Sequence, residues 1–301
     1  MSGKAATTQV EYVAQIFDEM VNEYDNLSDL WYSYTFGTIS RILLGEFSNP
    51  TGDNSKPIAL DVGCGTGIQS FDLAKLGYRV VGIDVAKDLL KRAHAKLKMA
   101  GLHDTDFLVA DAQWLPFRDS ISSCANCCGP TLSFVPNWRL ALSEISRSMK
   151  PGARLLMEVE GKWNFDMFWE IINGIGHNFL QYDESLAKAI THLRSPLNIG
   201  HTIQYAFELE SGEVIEMPLR LFTASELKKE LLRVDLIEEK RWGLHVITNL
   251  IPSTILGKAH PSRGLRLIFN ALASIEKRAN SYWPFSSFGC SLLVIARKAS
   301  L

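Results

Sequence analysis

The stretch 58–67, IALDVGCGTG, constrains this chain more than any other feature. An apolar run ends at Asp61-Val62, glycines follow at Gly63, Gly65 and Gly67, and a segment of helical period begins at Ile68. A strand that passes at once into a helix through glycines brings a polar ligand against the main chain at a helix N-terminus, where side chains would block it. Asp61 adds a carboxylate beside the turn, which suits a ligand carrying an ammonium group, and a free amino-acid end carries both charges. Asp84 stands at the carboxyl end of the next apolar run, 79–83, where nucleoside-binding sheets hydrogen-bond a ribose diol. A dinucleotide fingerprint would need glycine at Ile68 or, counted from Gly65, at Ser70, and neither position has it. That spacing disfavours a nucleotide-dependent oxidoreductase.

From Lys56 to Gly161 short apolar runs alternate with segments of helical period, the pattern of a parallel sheet covered by helices. Strands are expected at 58–62, 79–83, 106–110, 124–128 and 154–159, and helices at 68–76, 87–100 and 138–149. Gly77 and Gly101 close the first two helices, and Lys150-Pro151-Gly152 forms a turn that launches the last of these strands. The alternation stops after Gly161 and resumes at Thr223-Ala224-Ser225-Glu226, which has capping-box spacing. Residues 162–221 read as an inserted substrate cap, with a helix at 165–175 and a hairpin of 202–208 and 214–219 around Ser211-Gly212. Residues 1–55 read as an N-terminal helical lid and linker. Residues 56–161 and 222–301 form the core, ending in a helix at 262–280 and a strand at 290–296.

Composition excludes several classes. With 31 basic and 33 acidic residues the net charge is −2, so no basic excess advertises a nucleic-acid partner. The opening MSGKAATTQVEY lacks the apolar core of a secretory signal, and no apolar run approaches the roughly 18–20 residues of a membrane span. Five scattered cysteines fit a reducing cytoplasm, and the Cys124-x-x-Cys127-Cys128 cluster lacks a second ligand pair for zinc, so no metal is expected.

The same residues resemble the class I S-adenosylmethionine-dependent methyltransferase family. The likeness rests on Asp61 to Gly67, Asp84, Ala110-Asp111-Ala112, Leu115-Pro116-Phe117, Lys150-Pro151-Gly152 and the segment from Phe222-Thr223 to Leu232. The resemblance implies a Rossmann-like α/β fold: a seven-stranded sheet, mostly parallel with an antiparallel last strand, and helices on both faces. It implies that the glycine turn holds the methionine moiety of S-adenosyl-L-methionine, that Asp84 and Val85 take the ribose, and that Asp111 and Ala112 take the adenine. It places Cys128, Gly129 and Pro130 where cofactor and substrate meet. Phe17-Asp18, Tyr24-Asp25 and the phrase from Asp111 to Phe117 are similar to small-molecule enzymes such as quinone methyltransferases. The implied activity is O-, N- or C-methylation of a small acceptor of apolar, aromatic or lipid-like character. A non-catalytic cofactor-binding subunit is the alternative.

Methyl transfer from a sulfonium is an in-line displacement, so the protein supplies mainly alignment, and a base only where the acceptor arrives protonated. Candidate bases are Glu158, Glu160, His177, His201 and His245. His245 is favoured among the histidines because an imidazole in an apolar segment needs a partner. Tyr24 and Trp163 are expected to line an acceptor pocket or face the methyl sulfonium, while Phe165, Phe168 and Trp169 share a helix face suited to core packing. The apolar run 244–256, with Arg263, Arg266, Lys277 and Arg278 after it, suggests peripheral contact with a membrane surface, although a solvated basic helix face is the commoner meaning of such a pattern.

Overall fold

The structure, a computed structural model, describes residues 2–22, 24–25, 29–47, 56–102, 104–176, 179–180, 182, 190, 194–208, 214–258 and 260–300. In chain order its elements are α1 (Ser2–Glu19), α2 (Leu30–Glu46), β1 (Ile58–Val62), α3 (Ile68–Lys75), β2 (Arg79–Asp84), α4 (Lys87–Ala100), β3 (Thr105–Val109), β4 (Ser122–Cys127), α5 (Thr131–Phe134), α6 (Trp138–Ser148) and β5 (Met149–Glu160). There follow α7 (Asp166–Ile175), β6 (Thr202–Glu208), β7 (Val214–Arg220), α8 (Ala224–Arg233), β8 (Leu236–Leu244), α9 (Ser253–Leu256), α10 (Arg263–Ala279) and β9 (Ser291–Lys298).

Seven strands form one sheet in the order β3-β2-β1-β4-β5-β9-β8. Strands β1 to β5 run parallel, and β9 is antiparallel to both β5 and β8. The expected Rossmann-like sheet with an antiparallel last strand is therefore present. Its order reverses beside β1, which pairs with β2 on one side and β4 on the other, and the crevice at the carboxyl ends of strands flanking such a point is where open α/β sheets bind ligands.

Both faces of the sheet are covered because its central strands are apolar on both sides. On one face Leu60, Val62, Ala125 and Leu155 pack against Leu142 and Ile145 of α6 and Leu227 and Leu231 of α8. On the other, Ala59, Val80, Leu156 and Ile295 pack against Ile39, Ile42 and Leu43 of α2. Helix α2 thus belongs to the core layer, which corrects the reading of all of 1–55 as a lid. Helix α1 is placed differently, since Val13 and Ile16 pack with Phe134 of α5 and with Met217 and Leu219 of β7.

Local details explain the other departures. Segment 236–244, the first part of a stretch to Ile255 that reads as apolar, is a strand whose central residues, Glu238 to Arg241, are charged. Lys150-Pro151-Gly152 lies inside β5 rather than before it, absorbed where the β4–β5 register shifts between Ser122 and Cys124. Thr223 caps α8 by accepting from the Glu226 amide at 3.2 Å, but the Glu226 carboxylate takes Gly200 N–H and Arg220 instead of closing a capping box. Strands β6 and β7 pair antiparallel as expected, while Ser211-Gly212 lies outside the described residues.

At the exit of β8 one carboxylate organises the chain. Glu276 of α10 is 0% exposed and accepts the amides of His245, Ile247 and Thr248 at 2.7–2.9 Å. Removing a buried acceptor strands its donors without water. Glu276→Ala is therefore expected to lower unfolding stability by about 3–5 kcal/mol in urea titration, against less than about 0.5 kcal/mol for the exposed neighbour Arg278→Ala.

Candidate functional site

The carboxyl ends of β1, β2 and β4 meet around an open cleft, at the place where open α/β sheets take their ligands. Gly63, Asp84, Val85, Asp111 and Ala112, all named from the sequence, line it together with Tyr24 and Gly129. Ile83, Leu89, Ala110, Phe134 and Val135 give it apolar walls, and Val10, Val13 and Phe17 of α1 close one side.

The turn itself is held by its own amides. Gly63 and Cys64 N–H donate to the Ile83 carbonyl at 2.8 and 2.9 Å, Gly67 N–H to the Cys64 carbonyl at 2.8 Å, and Gly65 N–H to Asp84 Oδ2 at 2.8 Å. These donors are used inside the protein, so the glycines act by closeness and by orienting Asp84. Gly63 has φ +71°, and a Cβ there would lie 2.1 Å from Thr131 Oγ1. Asp84 Oδ1 accepts the Ala86 amide at 2.9 Å, which fixes the carboxylate at the cleft wall. Burial pushes the Asp84 carboxyl above its ordinary range, and Asp18 adds to this against the backbone amides that stabilise the charge.

Asp61 is placed differently from the sequence expectation. It is 1% exposed and lies beneath the turn, accepting Ser70 Oγ at 2.5 Å and Asn126 Nδ2 at 2.8 Å, so it braces α3 against β1 and β4 rather than facing the cleft. Burial pushes its carboxyl up to about 6, with the Ser70 and Asn126 bonds pulling the other way. Asp111 accepts the backbone and side-chain nitrogens of Gln113 at 2.9–3.1 Å, and Gln113 Oε1 accepts the Asn137 amide at 3.1 Å. Cys128 is 3% exposed and packs in the core with Leu156, which corrects its assignment to the cleft.

The N-terminal segment is tied to the turn by residues that spacing alone did not single out. Asp25 accepts Thr66 Oγ1 at 2.6 Å, Arg92 Nε at 2.6 Å and Lys96 Nζ at 2.9 Å, and Asp18 accepts the Asp88 amide at 2.6 Å. Burial would raise the Asp25 carboxyl, but its bonds from Thr66, Lys96 and Arg92 prevail and hold it below its usual range. These ties set the Tyr24 ring over the turn, its Cε1 3.2 Å from where a Cβ on Gly65 would stand. Burial raises the Tyr24 phenol far above its ordinary value, with Asp84 adding to the shift.

Beside the cleft, Glu158 and Glu160 end β5. Glu158 is 1% exposed and its Oε2 accepts the Gly129 amide at 2.8 Å. Burial pushes the half-buried Glu160 up to about 8, reinforced by Glu158 and Asp166. Tyr32 and Tyr205 are 47% and 39% exposed, yet desolvation is the leading cause of their raised pKa and Glu160 acts on both. Both phenols therefore stand near enough to Glu160 for its charge to act on them.

The remaining candidates lie elsewhere. His245 is 0% exposed, its ring stacked on Trp31 at 3.6 Å, with Nε2 at 2.8 Å from Thr35 Oγ1 and Nδ1 at 3.1 Å from Thr248 Oγ1. Burial drives it down to about 3. With both ring nitrogens engaged and no cleft wall formed by it, His245 is a packing residue, which corrects its assignment as base. The His201 amide region is tied by its carbonyl to Leu221, and His177 lies outside the described residues. Trp163 donates Nε1 to the Leu197 carbonyl at 3.0 Å, away from the cleft lining. Phe165 and Trp169 pack inward, but Phe168 is 46% exposed. All five cysteines are buried thiols, and among the described residues no cluster of His, Cys, Asp or Glu is arranged to hold a metal.

Residues 60–157 match the family model described as a methyltransferase domain. The chain is 30% identical over 157 residues to a demethylmenaquinone methyltransferase of Lactococcus lactis subsp. lactis, covering 48% of this chain and 57% of that protein. It is 32% identical over 99 residues to a sterol 4-C-methyltransferase of Caenorhabditis elegans, covering 33% and 29%. The chain thus spans little more than half of the first relative's length and less of the second. Among solved structures, the (4+2)-cyclase SpnF is similar with TM-score 0.58 and 17% identity, covering 97% of each chain. A Burkholderia thailandensis 1,6-didemethyltoxoflavin-N1-methyltransferase, solved with bound 1,6-didemethyltoxoflavin and S-adenosylhomocysteine, is similar with TM-score 0.53 and 14% identity, covering 99% of this chain and 89% of that one.

Replacing His245 is expected to act on stability. His245→Ala should lower unfolding stability by about 2–4 kcal/mol through the lost stack and the stranded hydroxyls. Because the folded pKa is depressed, the neutral ring stabilises the fold above about pH 6.5, and that contribution is lost as pH falls towards 3. A His245→Phe variant should lack this acid-side limb in pH-dependent thermal unfolding.

Proposed function

We propose that the protein transfers a methyl group from S-adenosyl-L-methionine to a small-molecule acceptor. The observation that carries this reading is the coincidence of the cleft at the β1/β4 reversal with the segment that matches a methyltransferase domain. The residues fit the cofactor. Asp84 presents a fixed carboxylate where a ribose diol would bind, Asp111 and Ala112 with apolar walls suit a purine, and the glycine turn leaves main chain bare beside Tyr24. Bound there, the cofactor supplies a methyl group on a positively charged sulfur, which the carboxylates and the Tyr24 ring face favour electrostatically. The named relatives act on quinone and sterol acceptors, which supports an apolar ring-bearing acceptor for this chain. Similarity to the cyclase favours the fold alone, and the domain match turns the choice to methyl transfer.

On the acceptor side we assign the neighbourhood of Tyr24, Tyr32, Tyr205 and Glu160, which act on one another electrostatically, with helix α1 closing the cleft beside Tyr24. Glu160 is the general base, taking a proton from the acceptor as the methyl group is transferred. Its carboxyl, raised by burial and by Glu158 and Asp166, lies close to working pH, where a base balances availability against strength. Tyr24 remains a neutral phenol that aligns the acceptor. Orientation of this kind supplies most of the rate in an in-line displacement.

The test is transfer of labelled methyl from S-adenosylmethionine across quinols, phenols, sterols and amines. Turnover with a quinol or phenol is expected, and its absence across all acceptors favours the binding-subunit alternative. Since the base must be unprotonated, kcat/KM should rise with pH to a plateau with its midpoint near 8. Glu160→Gln is expected to lower kcat by roughly 10²–10⁴-fold and abolish that limb, and an unchanged profile would remove Glu160 from the mechanism.

A further inference from the structure

Helix α10 carries an outward face that the cleft does not explain. Its inward side is fixed by Phe269, Ala273 and Glu276, 3%, 4% and 0% exposed. On the outside Leu267, Ala271 and Ile275 stand at i, i+4 and i+8 with Ile268 beside them, one continuous apolar strip. Leu267 is 71%, Ile268 58% and Ile275 54% exposed. Just after the helix, Tyr282 and Trp283 are 68% and 83% exposed, so large apolar surface continues past its C-terminal end.

The charges around this strip have one sign. Between residues 244 and 290 there are five lysines and arginines, Lys258, Arg263, Arg266, Lys277 and Arg278, and one acid, Glu276, in a chain whose net charge is −2. That acid is buried and consumed by the amides of His245, Ile247 and Thr248. At helical spacing Arg263 and Arg266 fall on one flank of the strip and Arg278 within its line at the C-terminal end, while Lys277, on the same flank, also reaches over the Tyr34 ring with Nζ 5.7 Å from its centroid. An apolar strip beside cations, ending in Trp and Tyr, is the chemistry of a helix lying in a lipid headgroup layer. Pairing with a second copy of the chain would set basic stripe against basic stripe, which opposes a dimer through this face. Among the described residues no helix is long and apolar enough to cross a membrane, so the contact is parallel to the surface.

We propose that α10 and the Tyr282-Trp283 turn dock the protein onto an anionic phospholipid bilayer surface, apolar strip inward and basic residues among the headgroups. This rests on the charge and exposure of α10 and is independent of the methyl-transfer reading. Flotation of the full chain with vesicles tests it, using phosphatidylcholine alone and phosphatidylcholine mixed with phosphatidylglycerol. The protein should float with the anionic vesicles and remain behind with the neutral ones, and added salt should weaken the binding. Paired Leu267→Glu and Ile275→Glu substitutions should reduce partitioning at least tenfold while leaving thermal unfolding unchanged. Arg263→Gln and Arg266→Gln, which do not touch the apolar strip, should each reduce it roughly fivefold, the equivalent of about 1 kcal/mol per basic residue. Absence of flotation, flotation insensitive to lipid charge and to both sets of variants, or a concentration-dependent dimer in light scattering that Leu267→Glu abolishes would each overturn the proposal.

Discussion

The buried carboxyl of Asp61 is the constraint on which the rest of the site depends. Its two oxygens bind Ser70 of α3 and Asn126 of β4, so one side chain on β1 holds the strand that follows the reversal and the helix that follows the turn. With those elements pinned, the turn at Gly63 to Gly67 can close on its own amides and deliver Gly65 N–H to Asp84. Burying a carboxyl is costly unless it is hydrogen-bonded, and burial pushes this one up to about 6 against the pull of its Ser70 and Asn126 bonds. The ligand side of the turn is then left to main chain and to Asp84, while Asp61 works from below.

Much of this was legible in the sequence, and the reasons for the gaps are physical. Strand-turn-helix at 58–67 and the acid at 84 are local patterns, so the sheet and the cleft lining of Gly63, Asp84, Val85, Asp111 and Ala112 followed from them. What sequence spacing does not encode is the direction in which a side chain points. Asp61 and Cys128 sit at strand ends next to the cleft, but alternation along the strand turns both into the core. His245 occupies an apolar segment because it stacks on Trp31 from a helix more than two hundred residues earlier in the chain, a long-range contact that no local pattern announces. Asp25 was visible only as part of a Tyr-Asp pair, and its partners Thr66, Arg92 and Lys96 become evident once α4 is folded over the turn. The segment from Leu236 to Ile255 reads as one apolar stretch in the sequence, but the charged run Glu238 to Arg241 breaks the alternation that would mark its first part as strand β8.

The site is acidic in a way that fits its proposed chemistry. Asp84, Glu158 and Glu160 all carry raised carboxyl values caused first by burial, and the phenols of Tyr24, Tyr32 and Tyr205 are shifted in the same direction. A positively charged sulfur entering such a site replaces lost hydration with carboxylates and ring faces, whereas its neutral product gains less, which favours turnover over product retention. The exposed face of α10 carries the opposite sign of charge, with Arg263, Arg266 and Arg278 exposed and its one acid, Glu276, buried.

The central claim, that the turn and Asp84 hold a methyl donor, is tested most directly by titration calorimetry of the intact chain with S-adenosylmethionine and S-adenosylhomocysteine. The account predicts one binding event per chain for each ligand, a loss of at least roughly tenfold in affinity for Asp84→Ala from its stranded ribose contacts, and no binding of a reduced nicotinamide dinucleotide. Absence of heat with both sulfur ligands, or binding that Asp84→Ala leaves unchanged, would contradict it.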